Sequence, residues 1–178
     1  MKIEVFSGPD IAAGEAARIV AAEARQAVAE RGRFVGAFSG GHTPWLMLRA
    51  LAGEDVPWNG VHIVQVDERV APPGHRDRNL THLRESLLDH APVPPGHVHA
   101  MPVEETDLGA AATKYARTLQ SLAGSPPVDD HTASLVPGDP VLEVTNADVA
   151  VTGQYQGHPR MTLTYPILNR APGAFFGW

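Results

Sequence analysis

The chain contains no cysteine. Disulfides, thiolate metal centres and cysteine nucleophiles are therefore excluded. Lysine is nearly missing as well. Of 14 basic residues only Lys2 and Lys114 are lysines, so arginine has to supply most anion binding, and its planar fork suits phosphate. Positive charge is in deficit: the net charge is -6 and the pI is near 5.8. That balance argues against nucleic acid or an anionic membrane as partner. An anionic substrate would need a local positive site against this background. No apolar run approaches the length of a membrane span, and the first residues lack the basic-then-apolar layout of a signal peptide. The expectation is a cytoplasmic protein whose partner is a small molecule, acting as a monomer or weak homo-oligomer.

The 178 residues are 43% hydrophobic with mean hydropathy -0.14. That is enough for one soluble globular domain with a real core. Lys2 to Phe6 reads as a first strand. Asp10 reads as the N-cap of a helix from Ile11 to Arg31, rich in strong helix formers and ended by Gly32. Arg33 to Phe38 is a second strand and Thr43 to Ala52 a second helix. Trp58-Asn59-Gly60 is a turn before a third strand, Val61 to Val66. A helix from Asn79 to His90, a strand from His97 to Met101 and a helix from Leu108 to Ala123 follow. Val149 to Thr152 and Met161 to Thr164 are short strands. Alternation of strands and helices predicts an α/β layered fold with a mainly parallel, Rossmann-like sheet between helices. Ligands of such sheets bind beyond the C-terminal ends of the strands.

Two segments fall at such ends. Ser39-Gly40-Gly41-His42-Thr43-Pro44 follows a buried strand and opens a helix. The first N–H groups of a helix lack intrahelical partners, and its dipole adds positive charge there, so a phosphate is well placed at this turn. Asp67-Glu68-Arg69 closes the third strand. Arg69 can pair a phosphate by two hydrogen bonds; Asp67 and Glu68 either orient Arg69 or bind sugar hydroxyls. Among the nine histidines, His75, His82, His90, His97 and His99 read as surface or packing residues. His97 and His99 alternate along one strand, but no third ligand is evident. No metal ligand and no cofactor are assigned.

Taken in order, these segments resemble the 6-phosphogluconolactonase family, a relative of glucosamine-6-phosphate deaminase. The resemblance rests on residues 39 to 44, on Trp58 with the strand into Asp67-Glu68-Arg69-Val70, and on Asn79-Leu80. It rests further on Asp130-His131-Thr132-Ala133-Ser134-Leu135 with Pro137-Gly138, and on His158-Pro159-Arg160-Met161-Thr162-Leu163-Thr164. It covers about Met1 to Arg170. It implies a three-layer α/β/α fold and hydrolysis of 6-phospho-D-glucono-1,5-lactone in the pentose phosphate pathway. It implies His131 as general base, a role that near-neutral pKa suits. It implies phosphate binding by Ser39, Gly40, Gly41, His42, Thr43 and Arg69, with Arg160 as a second arginine contact. His42 stands where serine is frequent, and either adds a donor or is neutral.

Two departures from the family pattern stand out. Residues 128–130 leave no room for the strand and Gly-rich turn expected before the histidine, with Asp130 in place of a glycine. The family's further helix–strand unit, with its phosphate-facing lysine, has no counterpart after Arg170. The domain over residues 1–178 is therefore expected to lack that internal strand and that C-terminal part. Alternatives stay open. A sugar-phosphate isomerase or deaminase would use Asp67 as the acid moving protons between C1 and C2. A non-catalytic sugar-phosphate-binding or degenerate relative would use none of these groups for chemistry.

Overall fold

The computed structural model describes residues 4–123 and 136–169. Two three-stranded sheets meet at one bent strand. In the first, β1 (Phe34–Phe38), β2 (Val61–Gln65) and β4 (Val98–His99) run parallel in the order β1-β2-β4. In the second, β3 (Asp67–Arg69), β6 (Arg160–Leu163) and β5 (Val149–Val151) are antiparallel in the order β3-β6-β5. Only Val66 separates β2 from β3. Its N–H donates to the Phe38 carbonyl and its carbonyl accepts from the Leu163 N–H, so this residue belongs to both ladders.

Helices complete the layers. α1 (Pro9–Arg31) buries a stripe of Ala13, Ala17, Val20, Ala21, Ala24 and Ala27. That spacing follows the helical period, and small side chains let its axis approach α2 (His42–Leu51) closely. Leu48, Leu51, Phe34, Phe38 and Ile63 fill the same core. α4 (Leu108–Ala123) covers the other side with Ala111, Ala112, Tyr115 and Leu119, against Val35, Val64, Met161 and Leu163. α3 (Asn79–Leu83) widens into a π turn over Arg84–Leu88, and α5 (Tyr165–Leu168) follows β6.

The expected α/β architecture is present, with local differences. In the described part of Lys2 to Phe6, residues 4–6, there is no strand, and Val5 is 91% exposed. The cap of α1 is Gly8, not Asp10, because Pro9 takes the first helical position, where its missing N–H costs nothing. β4 stops at His99 instead of reaching Met101. There the Gln65 side-chain carbonyl accepts the Met101 N–H (2.9 Å), and the Tyr115 hydroxyl binds both the N–H (2.7 Å) and the carbonyl (3.0 Å) of Gln65. Side chains thus replace the ladder where the parallel sheet ends. The supposed helix from Asn79 to His90 is one α turn followed by the π turn. Residues 128–130, where the internal strand was expected to be missing, lie outside the described residues.

β2 and β4 bring three histidines together. The rings of His62 and His97 stack at 4.0 Å, and His62 Nδ1 lies 3.1 Å from His99 Nε2. Burial, followed by the neighbouring histidines, holds His62 and His99 below the ordinary histidine value. The folded protein therefore binds fewer protons than the unfolded chain just below about pH 6.5, and stability rises with pH through that window. The unfolding midpoint should accordingly fall as pH drops below about 6.5. His62→Gln should flatten that slope in thermal scans across pH; an unchanged slope would show that the cluster does not carry it.

Candidate functional site

The site forms where β1 ends, where the central strand bends, and where β6 returns alongside it. β1 delivers residues 39–41 to the N-terminus of α2. Gly41 caps that helix with φ 115°, a backbone setting that side-chain-bearing residues avoid. Gly40 is set by contact: a Cβ there would lie 1.9 Å from Asn79 Oδ1. The glycine turn therefore rests directly on the Asn79 amide.

Asn79, expected from the sequence as the opening of a helix and one of the residues carrying the resemblance, is a hub. Its side-chain N–H₂ donates to the Asp67 carbonyl (3.0 Å) and to Asp67 Oδ1 (2.9 Å), and its Oδ1 accepts from Arg69 (2.8 Å). The Arg69 guanidinium also donates to the Asp77 carbonyl (2.8 Å). Asp67 Oδ2 lies 3.5 Å from Arg160 Nη1. Arg160 donates further to Gln156 Oε1 (3.2 Å), and its guanidinium lies 5.0 Å above the Tyr155 ring. Arg69 and Arg160 face each other across the β3–β6 pair. Burial first, and the Arg69 charge second, push the Arg160 pKa down. Arginine does not give up its proton in proteins, so two cations are held side by side with Asp67 as a counter-charge.

Glu68 has a different place. It is fully buried, and both its oxygens are taken by protein donors. Oε1 accepts the N–H groups of Arg69 and Asn79 (2.8 Å each). Oε2 accepts from Gln65 Nε2 and the Leu80 N–H (2.9 Å each). Arg78 Nε stands 3.1 Å away as an ion pair without aligned hydrogen-bond geometry. Arg78 is itself 2% exposed and donates to the Ala71 carbonyl and to Glu104. Of the two roles open to Glu68, orienting Arg69 matches this geometry: it fixes the Arg69 backbone and the first N–H groups of α3.

The structure thus joins Gly40, Gly41, Asp67, Glu68, Arg69 and Arg160 into one connected network. Ser39 lies in the same turn, half-buried. His42 and Thr43 contribute their backbone to the first turn of α2. His131 lies outside the described residues. Asn79 and Arg78 are the functional-site residues that sequence reading missed. The place of Asn79-Leu80 among the residues that carry the family resemblance was the available signal; Arg78, inside a charged loop, gave none.

A second group converges beside the first. Asp77 Oδ2 lies 3.7 Å from His75 Nδ1 and 3.2 Å from His158 Nε2. The hydrogen bond from His158 holds the Asp77 carboxyl below its ordinary range.

A family model described as glucosamine-6-phosphate isomerases/6-phosphogluconolactonase matches residues 8–177. A 6-phosphogluconolactonase of Nostoc is 35% identical over 164 residues, covering 84% of this chain and 68% of its own length. One from Synechocystis is 33% identical over 189 residues, covering 98% of this chain and 78% of its own. Among solved structures, 6-phosphogluconolactonase from Trypanosoma cruzi superposes with a TM-score of 0.83 at 21% identity, over 97% of this chain and 78% of that one.

The buried acid makes a stability prediction. Glu68→Gln keeps the shape but turns one acceptor oxygen into an N–H₂ facing two N–H donors and leaves Arg78 with Glu104 as its one carboxylate partner, so it should cost roughly 3–5 kcal/mol. Urea unfolding of the variant checks this; a loss below about 1 kcal/mol, the scale of an ordinary hydrogen bond, would mean that the pair is dispensable.

Proposed function

Because the chain belongs to the glucosamine-6-phosphate isomerases/6-phosphogluconolactonase family, we propose that it hydrolyses 6-phospho-D-glucono-1,5-lactone to 6-phospho-D-gluconate. The observation that carries this reading is the cation pair Arg69 and Arg160, set against a glycine turn at a helix N-terminus. An isolated guanidinium pair repels itself; a phosphate dianion between them relieves that repulsion and accepts several charge-assisted hydrogen bonds. The ligand end of the site is therefore the phosphoryl group of the sugar. Residues 39–43 offer it backbone N–H groups at the start of α2. The domain is taken as residues 1–178, working in the cytoplasm.

The chemistry at the other end needs little. A lactone carbonyl is already electrophilic. His131, assigned by family resemblance, takes a proton from water as the water oxygen bonds to C1. The resulting oxyanion is stabilised by nearby N–H or guanidinium donors. Collapse breaks the bond from C1 to the ring oxygen, which receives the proton from His131. Binding energy from the phosphate positions C1 for this attack. Asp67, held between Asn79 and Arg160, keeps the second guanidinium oriented and stands as the acid nearest the substrate. Glu68 acts through Arg69 and α3, not by touching substrate.

Lactone hydrolysis by the purified protein, read against a no-protein control because the lactone also opens spontaneously, tests the reading. Arg69→Gln should raise KM about tenfold or more, the equivalent of one lost charge-assisted hydrogen bond. His131→Ala should lower kcat by about a hundredfold or more. A wild-type rate equal to the control, or release of ammonia from glucosamine 6-phosphate in its place, would overturn the assignment. Gly40→Ala should lower activity as strongly as Arg69→Gln, because its methyl group would displace the Asn79 amide that holds Arg69.

A further inference from the structure

We propose that His75, Asp77 and His158 form a binding site for one divalent cation of the zinc class. Their ligand atoms all lie within 4.8 Å of one another. Zinc bound at about 2.0–2.1 Å in tetrahedral geometry separates its ligands by roughly 3.4 Å. The two pairs that include Asp77 Oδ2, at 3.7 Å and 3.2 Å, already bracket that value. Only the approach of the two rings has to tighten, by up to about 1.4 Å on this geometry. Two imidazoles with one carboxylate select zinc, cobalt or nickel over magnesium and calcium, which prefer oxygen. The Asp77 carboxylate supplies a negative charge to the site, with Arg76 Nε 3.7 Å from its other oxygen.

The surroundings hold these ligands in place. His158 Nδ1 lies 3.3 Å from the Val70 carbonyl. A proton on Nδ1 would be donated there, leaving the Nε2 lone pair directed at Asp77, the outer hydrogen bond typical of histidine ligands. The backbone on both sides is fixed. The His75 N–H donates to Pro72, and the His75 carbonyl accepts from the Arg78 N–H and the Thr81 hydroxyl. Next to His158, the Pro159 carbonyl accepts from the Val70 N–H. One local bond opposes metal binding: the Asp77 N–H points at His75 Nδ1 at 3.2 Å, and a cation would displace it. All three side chains are partly exposed, so the ion can enter from solvent. By contrast, His62, His97 and His99 stack their rings and spend nitrogens on one another and on the Val61 carbonyl. They do not aim three lone pairs at one point.

The site joins the loop before α3 to the strand end before Arg160, and the Asp77 carbonyl is an Arg69 acceptor. A bound ion would therefore raise the unfolding temperature by mass action. The experiment is calorimetric titration of chelator-treated protein with ZnCl₂, paired with thermal unfolding. The wild type should take up close to one equivalent and melt at a higher temperature with zinc present, reversed by EDTA. His75→Ala, in an exposed loop, and His158→Ala should each weaken zinc affinity about tenfold or more. His62→Gln should leave it unchanged. No saturable uptake up to about 0.1 mM zinc, or equal affinity in wild type, His75→Ala and His158→Ala, would overturn the proposal.

Discussion

A carboxylate buried without partners is so costly that it takes up a proton or unfolds its surroundings. Glu68 is fully buried, and the structure around it is arranged to avoid that outcome. Two backbone N–H groups at the start of α3, the Arg69 N–H, the Gln65 amide and the Arg78 guanidinium all converge on its two oxygens. The donors come from β2, β3, the loop that follows and the start of α3. One charge thus fixes where β3 ends, where α3 begins and how the intervening loop closes. Asn79 is positioned as a consequence, since its own N–H is one of the donors.

From Asn79 the constraint passes outward. Its amide has three polar engagements and a glycine backbone packed against it, so it can rotate only by breaking several contacts together. Arg69 and Asp67 inherit that rigidity, and Arg160 inherits it through Asp67. This is the usual requirement for anion recognition: donors held in place before the ligand arrives do not lose rotamer freedom on binding. The cation pair is energetically unfavourable by itself. A site that holds like charges together is stabilised by a ligand of opposite charge, so part of the strain in the folded protein becomes affinity for a phosphoryl group.

Much of the fold was legible. The alanine stripe of α1, the continuous apolar run of β1 and the helix from Leu108 to Ala123 carry their periods in the sequence. Arg69 and the glycine turn were readable because both lie at strand ends, where α/β sheets bind ligands. What was not legible depends on partners distant in the chain. The bend at Val66 looks like one more apolar strand residue; only the return of β6 makes it the junction of two sheets. β4 ends early because Gln65 and Tyr115 substitute for a strand, and neither residue type announces that use. Arg78 has the composition of a surface loop residue, yet it is buried because Glu68 is. His75 reads as an ordinary histidine and His158 only as part of the segment around Arg160, since the two are more than 80 residues apart in sequence and meet only across the loop and β6.

The meeting of two sheets at Val66 explains why the site is where it is. Here β1 stops and releases the glycine turn, while β6 enters antiparallel and places Arg160 opposite Arg69. Antiparallel pairing puts directly opposed residues on the same face, within about 5 Å. Two guanidiniums are set side by side here because the strand takes β6 as its partner after Val66. The glycine turn after β1 and the arginine pair on β3 and β6 thus meet at the residue where one strand changes partner.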